Sequence, residues 1–311
     1  TILFVGSSDV YKRQGGISIR LIVFLNIAVI SFINLALTES RRRNMAGLRV
    51  IWYNYAVAVI ISVVALLRTG IPAGSFHIPA VFLPYSAWGC DGIFTFSCLI
   101  GIVTGGVYLV TFIAVQKVIA VCGPSMAILT SKLGVIFAAL AMAAIWNERL
   151  SGVQLFGILF ACAGLLFFND TGLHLRRELP WLLLLSGVQE IVKKVFSGYG
   201  SMEYQYLYYL SAFVTCLLLN TVFLFTEKEE LHFQSSEMLL GGLIGVANLT
   251  STYFVVLALS ALPASTVFPV QSGGAILLTT LVGTLHYGET MSKRKLLGLL
   301  LTILSIILMN L

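Results

Sequence analysis

Two polar residues lie deep inside apolar stretches, where a binding site could use them. Lys132 lies eight residues after Pro124, and Gln271 lies eight residues after Pro263. Eight helical residues rise about 12 Å, which places both side chains near the centre of a bilayer if their helices cross one. A charge there costs roughly 3 kcal/mol on insertion scales. We therefore expect Lys132 and Gln271 to face a common cavity; the alternative is a lysine that snorkels or forms a structural ion pair.

A second charged group lies in another apolar stretch. Glu190 is followed by Lys193 and Lys194. The i, i+4 spacing of Glu190 and Lys194 lets opposite charges meet on one helical face. The pattern predicts an ion pair of these two residues. The pair is either structural, or the Glu190 carboxylate takes up and releases protons and so serves in proton coupling.

Uncharged polar side chains recur in the apolar stretches. The candidates for a cavity wall are Asn26, Asn54, Tyr108, Gln205 and Asn248. For Asn26, Tyr108 and Asn248 the alternative is a hydrogen bond between neighbouring helices; for Asn54 and Gln205, whose Tyr-x-Tyr triplets open their spans, it is a place in the interfacial belt.

Motifs of catalysis are not found in the sequence. It contains no H-E-x-x-H, no G-x-S-x-G and no phosphate-binding loop. The five cysteines lack metal-ligand spacing, and the four histidines are far apart. We predict no catalytic residue, no metal, no cofactor and no enzymatic activity.

The composition explains where these residues must lie. Of the 311 residues, 58% are hydrophobic and 10% are charged, whereas a soluble domain has roughly 25% charged residues. The net charge of +6 comes from short basic runs between apolar stretches, which are typical of membrane topology signals rather than of nucleic-acid binding. The predicted class is an all-α integral membrane protein.

Ten apolar stretches are long enough to cross a bilayer, which needs about 20 residues. They are predicted at Ile19–Leu37, Ile51–Leu67, Ile93–Val115, Val118–Trp146, Gly152–Phe168, Trp181–Ser197, Tyr204–Phe225, Met238–Leu259, Ala264–His286 and Leu296–Leu311.

The second half of the chain repeats features of the first. In chain order, Tyr53-Asn54-Tyr55 matches Tyr204-Gln205-Tyr206, Gly106–Pro124 matches Gly245–Pro263, and Glu148–Gly157 matches Glu289–Gly298. Three matches in the same order indicate duplication. Because each unit has five spans, the second copy must insert upside down, and the predicted fold is two inverted five-helix repeats.

The repeats define the predicted organisation. We assign residues 15–169 to the first repeat and 170–311 to the second, and residues 1–14 to a sequencing-adapter artefact, since Asp9–Gln14 resembles a translated adapter end. Loops on one predicted side, which begin with Arg41–Arg43, carry eleven lysines and arginines, and the other side carries five when residues 1–14 are excluded. This bias predicts that the first side is cytoplasmic and that both termini lie outside.

These features resemble a known family. Each repeat closes with a Glu-x-Leu/Met-Ser turn, at Glu148 and Glu289, followed by a glycine-containing last helix. The pattern resembles the EamA-like branch of the bacterial drug/metabolite transporter superfamily. Further matching segments are Thr130-Ser131-Lys132-Leu133, Gly245-Val246-Ala247-Asn248 and Phe268-Pro269-Val270-Gln271. The fourth span lacks the proline that is common at its middle in that family.

The resemblance implies an exporter of small metabolites in the bacterial inner membrane, with alternating access and with spans 5 and 10 at the periphery. It implies no cofactor and no nucleic acid; its partners are a small solute and membrane lipids, and a homodimer is left open. A cation in the cavity would suit a substrate with an anionic group. A flippase for a lipid-linked sugar or other lipid and a non-transporting membrane subunit are the alternatives.

Overall fold

The computed structural model describes residues 19–82, 87–122, 124–146, 151–168, 177–227, 234–262, 264–287 and 291–309. Within these residues it has ten α-helices and no strand. The helices are α1 Ile19–Arg42, α2 Gly47–Thr69, α3 Cys90–Cys122, α4 Pro124–Trp146, α5 Gly152–Phe168, α6 Glu178–Tyr199, α7 Gln205–Thr226, α8 Ser235–Ala261, α9 Ala264–Tyr287 and α10 Lys293–Met309. The predicted adapter segment lies outside the described residues.

The helices follow the ten apolar stretches, with shifted boundaries: α1 ends five residues later than predicted, at Arg42, and the largest shift is between α3 and α4. The sequence predicted a loop at 116–117 because Gln116 and Lys117 interrupt the apolar run, but α3 continues to Cys122. Lys117 is therefore a helical residue and not a loop residue. Gln116 is buried, and its side chain donates a hydrogen bond to the Gly47 carbonyl oxygen at 3.3 Å, which explains how a polar residue continues the helix.

Five helices are long and apolar enough to cross a bilayer, namely α1, α2, α3, α7 and α8. The outer face of α7 supports this, because Leu218, Val222 and Phe225 are 62%, 58% and 75% exposed. Large apolar side chains on an outward face suit contact with lipid. The chain is thus a multi-pass helical membrane protein. The helices α5 and α10 have 17 residues each, so ten crossings stay a prediction.

Helix neighbours are exchanged between the two halves of the chain. Each contact of a first-half helix with a second-half helix has an equivalent contact with the halves exchanged. Helix α3 packs on α7 and on α6, and its equivalent α8 packs on α2 and on α1. Helix α4 packs on α6, and its equivalent α9 packs on α1. The pairs α2 with α7, α4 with α9 and α5 with α10 also pack on each other. The most extensive contacts of α5 and α10 are with each other, which leaves these two helices beside the bundle. The halves are consequently interlocked and do not form two separate bodies.

Glycines set the register of two equivalent crossings. A Cβ atom added to Gly101 would lie 2.7 Å from Ser211 Cβ, and one added to Gly241 would lie 2.7 Å from Tyr53 Cβ. Gly105 likewise abuts Ala212, as Gly245 abuts Asn54. Small residues at these points let helix backbones approach closely.

These contacts correct the predicted alignment of the halves. The crossing glycines of α3 and α8 correspond in order, so the residues that face them on α7 and α2 correspond as well. Ala212 therefore takes the place of Asn54. The tyrosine triplets aligned Gln205 with Asn54 instead, which is wrong by about two helical turns. The triplets share composition, whereas backbone packing determines the register.

A polar clamp closes the end of the bundle where α1 meets α2. The Glu237 carboxylate, on the first turn of α8, accepts hydrogen bonds from Arg49 at 2.7 Å and from the Ala46 backbone N–H at 2.9 Å. Asn220 donates to the Leu48 carbonyl oxygen at 2.9 Å. Glu237 is only 1% exposed. The short α1–α2 connection is thereby fixed to α7 and α8.

Candidate functional site

A polar cavity lies at the centre of the bundle, with a volume of about 100 Å³. Helices α1, α3, α4, α6, α8 and α9 form its wall. The lining residues are Ile30, Ile33, Asn34, Leu37, Tyr108, Thr111, Phe112, Val115, Ser131, Lys132, Ser186, Gln189, Glu190, Lys193, Asn248, Ser251, Thr252, Val255 and Gln271. The peripheral helices α5 and α10 contribute none of them.

The wall has equivalent positions in the two halves. Four helices each present residues at i, i+3, i+4 and i+7, which is one face of an α-helix. The four lining positions of α3, from Tyr108 to Val115, recur on α8, from Asn248 to Val255, in the register that the crossing glycines set. Those of α1 recur with the same spacing on α6. The backbone of the cavity is therefore pseudo-symmetric.

The chemistry of the wall is not symmetric. On α1 the face consists of Ile30, Ile33, Asn34 and Leu37. The equivalent residues on α6 are Ser186, Gln189, Glu190 and Lys193. One side of the cavity is thus largely apolar, and the opposite side is polar and charged.

The ion pair of α6 joins Glu190 to Lys193. Lys193 Nζ lies 2.9 Å from Glu190 Oε1 and 3.0 Å from Oε2. The sequence predicted an i, i+4 pair of Glu190 with Lys194, which stays a prediction; the structure records the i, i+3 pair of Glu190 with Lys193. Both spacings bring side chains to one helical face. Of the two lysines, Lys193 is the one that lines the cavity. Its Nζ atom lies 5.9 Å from the centroid of the Tyr108 ring. This two-oxygen contact favours a structural role for Glu190 over proton coupling.

Lys132 lies on α4, the helix that packs directly against the α6 helix of the ion pair. Glu190 and Lys193 are the charged groups that act on it, and within the described residues Lys132 forms no ion pair. Helix α4 reaches α6 closely because Gly134 and Gly187 meet, where an added Cβ on either would lie 2.7 Å from the other helix. Lys132 is consequently the cation of the cavity wall that an anionic ligand can approach.

Amide groups add hydrogen-bonding capacity that the protein itself does not use. Gln271 is 4% exposed, and its Oε1 has no partner within the described residues. Asn34 Nδ2 is buried and is likewise without a partner there. Buried polar atoms without a described partner also lie away from the cavity, for example Ser97 Oγ and Thr130 Oγ1, so this feature alone does not mark a site. On the cavity wall, the two amides are open to a ligand or to water.

Asn248 and Tyr108 occupy equivalent places on α8 and α3. Asn248 Nδ2 donates to Asn54 Oδ1 at 3.3 Å, so Asn54 supports the wall from behind. Tyr108 is 2% exposed, and its hydroxyl lies beside the side chains of Thr252 and Gln189. Both residues line the cavity, as their polar character in apolar helices predicted.

Other predicted residues lie elsewhere. Asn26 is buried in α1, Gln205 begins α7, and neither of them lines the cavity; the same holds for Lys194. Glu148 and Glu289 lie outside the described residues. Sequence reasoning missed Gln189, Ser131, Ser186, Thr111, Ser251, Thr252 and Lys193 as wall residues. The signal for α6 was present, because Ser186, Gln189, Glu190 and Lys193 form a polar stripe at helical spacing.

No metal-binding group of three or more His, Cys, Asp or Glu residues occurs in the part of the chain that the structure describes. The groups that face the cavity are an ammonium, an ion pair, amides and hydroxyls. They can bind and orient a ligand by charge and hydrogen bonds.

Comparisons with known proteins give the fold alone. No family model matches the chain, and no curated protein matches it. A solved structure described as "Crystal structure of protein" superposes with a TM-score of 0.61 at 16% identity, over 93% of this chain and 95% of that one. The arrangement of the described helices is therefore similar to a fold that occurs in a solved structure.

Proposed function

We propose that this chain is a bacterial inner-membrane transporter that exports small anionic solutes by alternating access. The observation that carries the proposal is the central cavity, whose backbone is pseudo-symmetric and whose described wall holds two lysines and one glutamate. Burying three charged groups within a membrane bundle is costly. Such groups in membrane helices are commonly part of a substrate pathway.

The helix pairing supports an inverted repeat. Contacts of α3 with α7 and of α8 with α2 match residue by residue, as a two-fold rotation that exchanges the halves requires. If successive helices alternate in direction, equivalent helices run antiparallel because each half has five. An in-membrane axis then passes through the cavity, where transporters with inverted repeats bind substrate.

The resemblance to EamA-like transporters agrees with this arrangement, with α5 and α10 beside the bundle. Interlocking of the halves bears on the mechanism. The moving bodies are not residues 15–169 against 170–311, since contacts such as α3 with α7 cross that boundary. Helices that pack tightly across it would move together.

A small solute fits better than a lipid. The cavity volume of about 100 Å³ lies below the roughly 300–1,000 Å³ of pockets for drug-sized ligands. A lipid-linked sugar needs more space and a lateral opening. The size therefore favours the transporter over the flippase.

The test is transport by the full chain in liposomes. Labelled small organic anions, phosphate esters and uncharged solutes are the probes, with a fluorescent phospholipid as a separate probe. We expect flux of an anion that falls at least tenfold in Lys132→Ala and partly in Lys132→Arg, whose wider planar head fits poorly in a site shaped for an ammonium.

Thr130→Ala is the matched control. Thr130 is on the same helix, fully buried and not on the cavity wall, so its flux should stay near that of the unchanged protein. Movement of the phospholipid without any solute flux would establish the flippase instead. Absence of both would leave a non-transporting subunit, and either result overturns the proposal.

A further inference from the structure

The asymmetry of the cavity wall defines a narrower ligand. We infer that the site takes a small amphipathic monoanion, with a single carboxylate-like group at one end and a branched hydrocarbon at the other. This inference rests on the proposed transport function and names its substrate class.

The charge of the described wall points to one negative charge. Lys193 and Glu190 neutralise each other at 2.9 Å, which leaves Lys132 as the uncompensated charge among the described wall residues. A monoanion brings the site to neutrality. A dianion would leave an unpaired negative charge in a poorly solvated site, which is unfavourable.

The same ion pair disfavours a zwitterion. An ammonium group needs a carboxylate or several oxygen acceptors when it leaves water. Both carboxylate oxygens of Glu190 already contact Lys193, and the described cavity wall holds no second carboxylate. An amino acid would therefore bury its ammonium beside two lysines.

The anionic end can meet further hydrogen-bonding groups on the cavity wall. Gln271 is on the adjacent helix α9, and Asn34 Nδ2 is an unpartnered donor on the wall. The amide of Gln271 can present either its oxygen or its nitrogen, since the two are assigned by hydrogen bonding. One ammonium with two amides can satisfy the oxygens of a carboxylate.

The hydrocarbon end is accommodated by α1 and the ends of the α3 and α8 faces. Ile30, Ile33 and Leu37 lie where α6 has Ser186, Gln189 and Lys193, and Val115 and Val255 are equivalent apolar residues. Apolar ligand surface that meets these side chains leaves water, which favours binding. A fully polar anion would gain nothing from this wall.

Three probes of similar size separate the charge classes. They are 3-methyl-2-oxobutanoate, valine and 2-oxoglutarate; the first two share one carbon skeleton and differ in whether they are monoanion or zwitterion, and the third is a dianion. We expect counterflow of 3-methyl-2-oxobutanoate into liposomes that contain the full chain at a rate at least tenfold above that of the other two.

The apolar wall is tested by Ile33→Gln, which places on α1 the side chain that Gln189 provides on α6. Flux of 3-methyl-2-oxobutanoate should fall at least fivefold relative to that of pyruvate, which lacks the branched end. Ile33→Leu keeps an apolar side chain of equal size, and its flux ratio should remain unchanged.

Faster transport of valine or 2-oxoglutarate would overturn the inference, and so would no counterflow of any of the three. The proposed function is judged separately by its wider panel and by Lys132→Ala. If an anion outside these three moved and depended on Lys132, transport would stand and this substrate class would be wrong.

Discussion

Helices α1 and α6 present the same four positions to the cavity and carry opposite chemistry. The α1 face is three aliphatic residues and Asn34, and the α6 face is Ser186, Gln189 and the Glu190–Lys193 pair. Equivalent backbones keep the geometry that an inverted repeat requires. Different side chains allow one end of a ligand to be held by charge and the other by apolar contact. In this cavity the helix backbones are pseudo-symmetric and the side chains that they present are not.

The largest effect should come from removing one partner of the ion pair. Lys193→Met keeps the length of the side chain but strands the Glu190 carboxylate. Because the partly buried carboxylate then loses the ammonium that contacts both of its oxygens, the free energy of unfolding should fall by about 3 kcal/mol. The equivalent change on α1, Leu37→Met, conserves volume and should cost less than about 1.5 kcal/mol. Unfolding in mixed micelles with increasing SDS measures both.

The double variant Glu190→Gln with Lys193→Met sharpens this comparison, since it removes both charges and should recover most of the lost stability. If Lys193→Met lowers the free energy of unfolding no more than Leu37→Met does, Lys132 compensates the charge of Glu190. The α1 and α6 faces would then contribute more equally to stability than their charges indicate.

The polar clamp allows a second comparison between the halves. Glu237 on α8 and Ser97 on α3 each lie four residues before the first crossing glycine of their helix, and both are buried. Glu237→Ala removes hydrogen bonds to Arg49 and Ala46 and should cost about 2–3 kcal/mol. Ser97 Oγ has no partner within the described residues, so Ser97→Ala should change stability by less than about 1 kcal/mol. If Glu237→Ala and Ser97→Ala lowered the free energy of unfolding equally in the same assay, the polar clamp at Glu237 would not differ from its equivalent position at Ser97.

The glycine crossings of α3 with α7 and of α8 with α2 should lose equal stability when the glycine is changed, in contrast to the polar clamp. Gly105→Ala and Gly245→Ala each force a Cβ into the facing helix and should cost about 1–3 kcal/mol. The neighbouring glycines are the controls, because a Cβ on Gly106 would meet nothing within 4 Å and one on Gly242 would meet only Val57 at 3.6 Å. Their alanine variants should be neutral or more stable by up to about 1 kcal/mol. Losses that differ greatly between Gly105 and Gly245 would argue against equivalent crossings.

The smallest effect concerns the hydrogen bond between Asn248 and Asn54. A double-mutant cycle with alanine at both positions should give a coupling energy of about 0.6 kcal/mol, the average for such bonds between membrane helices. The equivalent crossing of α3 with α7 has Tyr108 and Ala212 at these places, and an alanine side chain cannot form that bond. A coupling energy near zero would mean that the Asn248–Asn54 hydrogen bond, at 3.3 Å, does not stabilise the fold and that the two residues contribute only by packing.

The helices were predictable from the sequence because apolar length is a strong signal. The α3–α4 boundary was not, since Gln116 and Lys117 resemble a loop until the contact of Gln116 with Gly47 is known. Lys132, Gln271, Asn248 and Tyr108 were singled out as cavity candidates because polar atoms are rare in such helices, and all four line the cavity.

Three aspects could not be read from the sequence. The choice of Lys193 over Lys194 depends on which face of α6 turns inward. The place of Asn54 behind the wall depends on the α2–α8 crossing. The register between α2 and α7 depends on where glycines on two other helices make contact. All three are consequences of tertiary packing, which the local pattern does not contain.

Interlocking of the halves also has a consequence for biosynthesis. A ribosome delivers α1–α5 before α6–α10, so Gly101 and Gly105 enter the bilayer without the helix that later covers them. The first five helices then lack most of their final neighbours. Assembly of the cavity must wait for the last helices, because α6, α8 and α9 supply half of its walls. Until then the early helices depend on lipid or on an insertion factor to shield their contact faces.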